Sequence, residues 1–350
     1  AAAASEAELV GCICATFALP RGIPHPMELE TAMRPSLGVP STAEHFATMQ
    51  SRRRTLERLW GSDKGEKYLS HGDKEHSAPA SEVLETLDSY MQMLMQATLS
   101  MEVAPEATRV DKSFAVEWPS PVTLSSIRAR INPTAAGNHI RSAMLYETSM
   151  LLAGRAMLLN EDAWDAVHGG AIDAKKASER MRAAAGTLDY LHTKLQEGGW
   201  SEALQCIVGP DTTPVELLGA KAFRDIFLAQ AQQFAIAQAV IDGKAPASLL
   251  CKLCLGVVHN LEIAVSSLRA DPAIKYAKIT GAHGTANQAC PITMFLAFQI
   301  TLFKALAHRF AAADSWAKAE YGTAIGYQKK AAALLRERAD ISSPGLPPTV

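Results

Sequence analysis

The 350-residue chain is short of most features that make a sequence easy to classify. It has six cysteines, Cys12, Cys14, Cys206, Cys251, Cys254 and Cys290. They are too few and too unevenly spaced for a secreted disulfide framework, so a reducing compartment is expected. Neither sign of charge dominates: 34 Lys and Arg stand against 36 Asp and Glu, a net charge of −2. This excludes a generally basic nucleic-acid surface. No long hydrophobic run is present either. The longest, Ala289 to Phe303, includes Gln299 and stops at Lys304. It falls short of the ~20 residues a spanning helix needs, and reads as a buried helix. No basic segment followed by an apolar stretch marks a signal peptide. The start at Ala1, without Met, is expected of a processed organellar protein. Phosphate-binding, dinucleotide, HExxH and GxSxG motifs do not occur.

What is there is helical. Hydrophobic residues reach 48% and charged ones 20%, the balance of a packed protein. Ser81 is placed to cap a helix carrying Val83, Leu84, Leu87, Met91, Leu94 and Met95. Asn138 opens a second, with Ile140, Met144, Leu145, Leu151 and Leu152. Asp173 caps a third through Met181 and Leu188 to Leu191. A fourth starts at Pro214 and ends before Gly243, and Ser248 caps a fifth that ends near Leu268. Pro272 and Pro291 punctuate two more, and a last helix is expected from about Ser315 to Arg338. Two stretches lean to strand: residues 10–19, and Phe114 to Trp118. Residues 61–80 read as a loop. Long Ala-rich helices with short turns stack into solenoid-like arrays, here without a legible tetratricopeptide signature.

Candidate chemistry is thin. Cys251 and Cys254 form a CxxC inside a helix, lacking both the further ligands of a zinc site and the strand of a redox motif. They read as two small residues on one helix face. His71, Asp73 and His76 share the polar loop, and read as solvated. Arg52, Arg53 and Arg54 read as a solvated helix face with some affinity for phosphate or anionic lipid. Asn138-His139 and His259-Asn260 have no Ser or Cys nucleophile at a readable distance. No catalytic residue, cofactor or metal site is therefore assigned, and a binding surface is the expected means of function.

Four strings carry a family resemblance: Leu145-Tyr146-Glu147 with Leu151 and Leu152; Ala183 to Gly186 with Leu188, Tyr190 and Leu191; Leu228-Ala-Gln-Ala-Gln232; and Tyr321-Gly322 with Ala324, Ile325, Gln328 and Ala331. In order and spacing, from about residue 114 to 338, they resemble the BRO1 domain of ALIX-like endosomal proteins. The N-terminal segment is closer to the divergent plant and algal branch. The resemblance implies a curved, mainly α, TPR-like solenoid with a small N-terminal β-sheet. It implies one domain over 10–338, between an N-terminal extension (1–9) and a flexible tail (339–350). It also implies a non-enzymatic scaffold in ESCRT and endosomal sorting, cytoplasmic or peripheral to a membrane. Such a scaffold docks an amphipathic helix of the CHMP4/Snf7 type on its concave face.

Carried over residue by residue, the docking patch falls on Leu249 and Leu253, on Ala235 or Ile236 according to a one-residue gap, with Ile236 preferred, and on Lys175. The family's acidic neighbour of that basic residue appears here as Ala171. Apolar pairs four apart are more often core than interface, so exposure of Leu249 and Leu253 is the deciding property. A structural subunit of a plastid or mitochondrial membrane complex is the alternative expectation.

Overall fold

A computed structural model describes residues 2–15, 17–18, 21–22, 33–35, 40–60, 68–69, 78–103, 108–110, 115–120, 125–130, 138–197, 199–205, 217, 219–270, 280–283 and 288–339. The described helices, in chain order, are α1 (Ala2–Ile13), α2 (Pro40–Trp60), α3 (Ala80–Val103), α4 (Asn138–His168), α5 (Ala174–Glu197), α6 (Trp200–Gln205), α7 (Ala220–Ile241), α8 (Ala247–Ala270), α9 (Ile292–Ala317) and α10 (Tyr321–Ala339). The chain is mainly helical, as the periodicity predicts. It divides into two compact units.

One unit comprises residues 19–159 and 186–220. Its α2 buries Phe46, Met49, Arg53, Leu56 and Trp60, a spacing of three and four that keeps one face inward. Four of the five are apolar and the fifth is an arginine. Arg53 therefore departs from the expected solvated triplet: Arg52 and Arg54 are exposed, and Arg53 is fully buried. Its Nε donates to Glu147 Oε1 at 2.8 Å and its Nη1 to Glu57 Oε1 at 2.6 Å. Tyr90 donates its hydroxyl to the same Glu147 oxygen at 3.4 Å. Burial, and then the Glu147 charge, push the Tyr90 phenol well above its usual range. Gly154 of α4 lies against Trp60, where a Cβ would stand 2.5 Å from the indole Cη2. Any larger residue forces a rigid ring to move. Arg155 holds Asp88 of α3 at 2.7 Å and Thr187 of α5 at 2.8 Å.

The second unit comprises residues 1–18, 160–185 and 221–350. Its core includes Ile13, Phe223, Phe234, Leu261, Phe295, Leu296 and Phe303. Two buried glutamines tie three of its segments. Gln233 Nε2 donates to the Ile13 and Ala15 carbonyls at 2.5 and 2.6 Å. Gln299 Nε2 donates to Ala15 at 2.6 Å and to Gln233 Oε1 at 3.1 Å. A buried amide is costly without partners, so these contacts fix where the residues after α1 run.

Several boundaries differ from the sequence reading. Residues 10–13 are helix, with Val10, Ile13 and Cys14 buried; only β1 (Phe17–Ala18) of the 10–19 run is strand. The expected N-terminal sheet does not form as one sheet. The described strands lie in separate antiparallel ladders. β1 pairs with β8 (Thr280–His283), which pairs with β9 (Gln288–Pro291). β2 (Arg21–Gly22) pairs with β4 (Tyr68–Leu69) and β3 (Met33–Pro35) with β5 (Thr108–Val110). β6 (Ala115–Ser120) pairs with β7 (Ser125–Arg130). Ladders this short are held by the helices around them rather than by their own pairing.

Asp173 caps α5 as expected, its Oδ1 accepting the Lys176 N–H at 2.9 Å. Ser81 and Ser248 instead lie inside α3 and α8, whose first turns start on the Pro79 and Pro246 carbonyls. The fourth helix begins at Ala220, and Pro214 lies outside the described residues. So do Pro272, His71, Asp73 and His76. Ser315 belongs to the end of α9. Residues 318–320 break the helix, with Ala319 at φ 63° and the Glu320 N–H on the Ser315 carbonyl at 2.9 Å. This is a left-handed helix cap built on alanine instead of glycine, so the sequence gives no sign of it.

The Arg53–Glu147 contact carries a stability prediction. Glu147→Ala is expected to destabilise the chain by about 1–3 kcal/mol in urea unfolding, because it leaves the buried guanidinium with Glu57 alone and takes the acceptor of the Tyr90 hydroxyl. The double replacement Arg53→Met with Glu147→Leu is expected to recover part of that loss, the Tyr90 hydroxyl and Glu57 having each lost a partner.

Candidate docking surface on α7 and α8

The α7–α8 hairpin turns at Gly243, which has φ 64°, a value only glycine adopts freely. Two facing rows follow from helical spacing. On α7 these are Leu228, Gln232, Ala235 and Ala239; on α8, Leu249, Leu253, Gly256 and Asn260. Gln232 Nε2 donates to the Leu253 carbonyl at 2.7 Å. Its amide lies over Gly256, where a Cβ would collide with that nitrogen. Glycine at 256 is therefore what lets the side chain cross from α7 to the α8 backbone. The bond leaves the outer ends of both rows open: Leu249 is 45% exposed, Leu228 39%, and Leu253 is half-buried.

The composition of α8 explains that exposure. By length and composition alone it is the one described helix apolar enough to cross a membrane, yet only 33% of its most apolar window is buried. Core helices of soluble proteins meet the same length and composition test. Leu250, Cys254, Val257, Leu261, Ala264 and Leu268 form its inward stripe. Leu249, Leu255 and Ile263 are apolar residues beyond what the core uses.

Of the residues assigned from sequence, Leu249 and Leu253 share one open face, and Lys175 is exposed on the first turn of α5. Ser178, three residues on, donates to the Ala231 carbonyl at 2.9 Å and holds that turn of α5 against α7. Ile236 is corrected: it is fully buried and cannot meet a partner. The other reading of the gap, Ala235, is the exposed one. Leu228 and Gln232 were missed as site residues, although the Leu-Ala-Gln-Ala-Gln string names both. The rim is basic. Lys176 and Arg180 both bind the buried carboxylate of Asp162, at 2.9 and 2.7 Å, and Lys252 is exposed on α8.

The two thiols of the CxxC are poor nucleophiles. Burial, and then Asp314, push Cys251 up, while Lys252 opposes them. Burial pushes Cys254 up to about 12. Among the described residues no three His, Cys, Asp or Glu side chains are grouped to hold a metal ion.

With this geometry established, comparison places the chain. A family model for the BRO1-like domain matches residues 70–345, and the chain belongs to that family. Among solved structures it is similar to the ALIX BRO1–CHMP4C complex, with TM-score 0.62 and 16% identity over 95% of this chain and 82% of that one. It is also similar to ALIX in complex with the SIVmac239 PYKEVTEDL late domain. There the TM-score is 0.64 and the identity 16%, over 95% of this chain and 42% of that one. At that identity the two structures show a shared fold. No curated protein matches the chain by sequence.

Two predictions test the local geometry. In folded protein, Cys251 is expected to be alkylated by iodoacetamide well before Cys254, which at a value of about 12 ionises in roughly one molecule in ten thousand at pH 8. Peptide mapping after a timed reaction reads the order. Gly256→Val is expected to displace Gln232 and cost about 1–3 kcal/mol, measured by thermal unfolding.

Proposed function

We propose that the chain is a non-enzymatic docking scaffold whose α7–α8 surface seats an amphipathic helix of a partner protein, in ESCRT-linked sorting at endosomal membranes. The observation that carries the reading is the exposure of Leu249 with Leu253 half-open beside it, on a helix whose apolar content exceeds what its core side uses. Supporting it, one structurally similar protein, the ALIX BRO1 domain, forms a complex with CHMP4C. Neighbouring cations, Lys175 and Lys252, would favour a helix with an acidic polar face.

The energetics set the class of partner. A fully buried Leu is worth about 1.5–3 kcal/mol; Leu249 has just under half of its surface left to bury and Leu253 less, so about 3 kcal/mol is an upper bound for the pair. Together they supply about 1.5–3 kcal/mol, against about 8 kcal/mol for micromolar binding. A partner must therefore extend beyond them, onto Leu228 or the basic rim, and the complex is expected to be weak and reversible.

The experiment is titration of a CHMP4-type C-terminal peptide against the wild type, Leu253→Asp and Leu249→Asp, with circular dichroism confirming the fold. Binding at micromolar strength or weaker, reduced at least tenfold by either variant, is expected. Equal affinity for all three proteins removes the site.

A further inference from the structure

The outward face of α10 differs in chemistry from that of α8. Ala324 is fully buried and Tyr327, Ala331 and Leu334 are half-buried, so this side of α10 lies on α9. Tyr327 stacks on His308 of α9, with ring centroids 5.8 Å apart. Turned away from that contact, Tyr321, Ile325, Lys329, Ala332 and Arg336 follow at spacings of four, four, three and four, a single helical stripe. All five are exposed, Tyr321 at 53% and Ile325 at 47%. At its start Trp316, 56% exposed, meets Tyr321 edge to face at 4.9 Å. Lys330 stands on its flank. No carboxylate occurs from Tyr321 to Arg336; Glu320 precedes this span and Glu337 follows it, and upstream Asp314 is paired with Lys318 at 2.6 Å.

We infer that this stripe is a peripheral contact for an anionic lipid surface. An indole and a phenol held at the surface by each other are the side chains that settle at the headgroup level. Ile325 adds shallow apolar burial. Lys329, Lys330 and Arg336 supply charge opposite to acidic headgroups, each strengthening binding several-fold near the surface. One sign of charge along an exposed apolar stripe is the pattern of a helix that lies on a bilayer without crossing it. The contact is independent of the α7–α8 site, because none of its residues lies on those helices.

The test is flotation of the full chain with vesicles of phosphatidylcholine alone, or with about one-third phosphatidylserine. A second readout is quenching of tryptophan emission by brominated lipid. Trp60, Trp164 and Trp200 are buried and Trp316 is exposed; Trp118 is the fifth tryptophan, so the difference between the wild type and Trp316→Ser reads the α10 face. The wild type is expected to float only with the acidic vesicles and to release them in high salt. The double variant Lys329→Gln with Arg336→Gln is expected to bind about thirtyfold more weakly. Trp316→Ser is expected to lose most of the quenching. Leu253→Asp is expected to bind vesicles like the wild type, which separates this contact from helix docking. Equal flotation with both vesicle types overturns the inference. So does insensitivity to the charge pair, or self-association abolished by Trp316→Ser, which would assign the face to a second copy of the chain.

Discussion

A hydrogen bond between two helices sets the geometry of the α7–α8 face on which the proposed docking surface depends. The Gln232 side chain crosses from α7 to the Leu253 carbonyl on α8, and it fits because residue 256 has no Cβ. A carbonyl inside a helix can accept this second bond because it has two lone pairs. Anchoring to backbone fixes the rotation of α8 as well as its distance from α7. That rotation keeps Leu250, Cys254 and Val257 inward and leaves Leu249 and Leu253 on the open row. The next residue, Gln233, points the other way and holds the Ile13 and Ala15 carbonyls. Two adjacent glutamines thus fix the outer and inner faces of α7.

The open row persists because the hydrophobic effect sets no direction of its own. A helix with apolar residues on about half its circumference buries one stripe and leaves the rest for whatever arrives. On α8 the inward stripe is complete without Leu249, Leu255 or Ile263. Replacing an exposed leucine therefore removes little folding energy, whereas the buried positions carry stability. This separation is what makes docking testable apart from folding.

Most of the long helices were legible in the sequence, because they follow from spacing alone, but α2 was not named, and β8 and β9 stand between Pro272 and Pro291, where a helix was expected. The Asp173 cap was legible from residue type and position. Arg53 was not. Three consecutive arginines look solvated, and the partner that draws one of them inside, Glu147, lies 94 residues away. The break after α9 was hidden because Ala319 takes a conformation that normally announces itself as glycine. The end of α1, residues 10–13, was read as strand because Val10, Cys12, Ile13 and Cys14 favour strands locally, while the burial of Val10, Ile13 and Cys14 decides for helix. At the proposed docking surface the shared face of Leu249 and Leu253 was legible from their spacing of four, and their exposure was not. The choice between Ala235 and Ile236 was not, because a one-residue shift turns a helical position by about 100°, from solvent to core.

The two open faces of this unit differ in the partner chemistry they can select. On α8 the exposed residues include apolar side chains together with both charge signs: Lys252 is near Leu249, and Glu262 is paired with Lys304 of α9 at 2.7 Å. A mixed face of that kind favours a partner with its own pattern of side chains, since both shape and sign must match. On α10 the stripe carries cations and no described acid, so its attraction depends on the partner's charge density more than its shape. Protein helices present discrete patterns, and bilayers present diffuse charge. Packing α9 between α8 and α10 keeps the two kinds of face on different helices, so the proposed helix seat and the proposed lipid contact share no side chain.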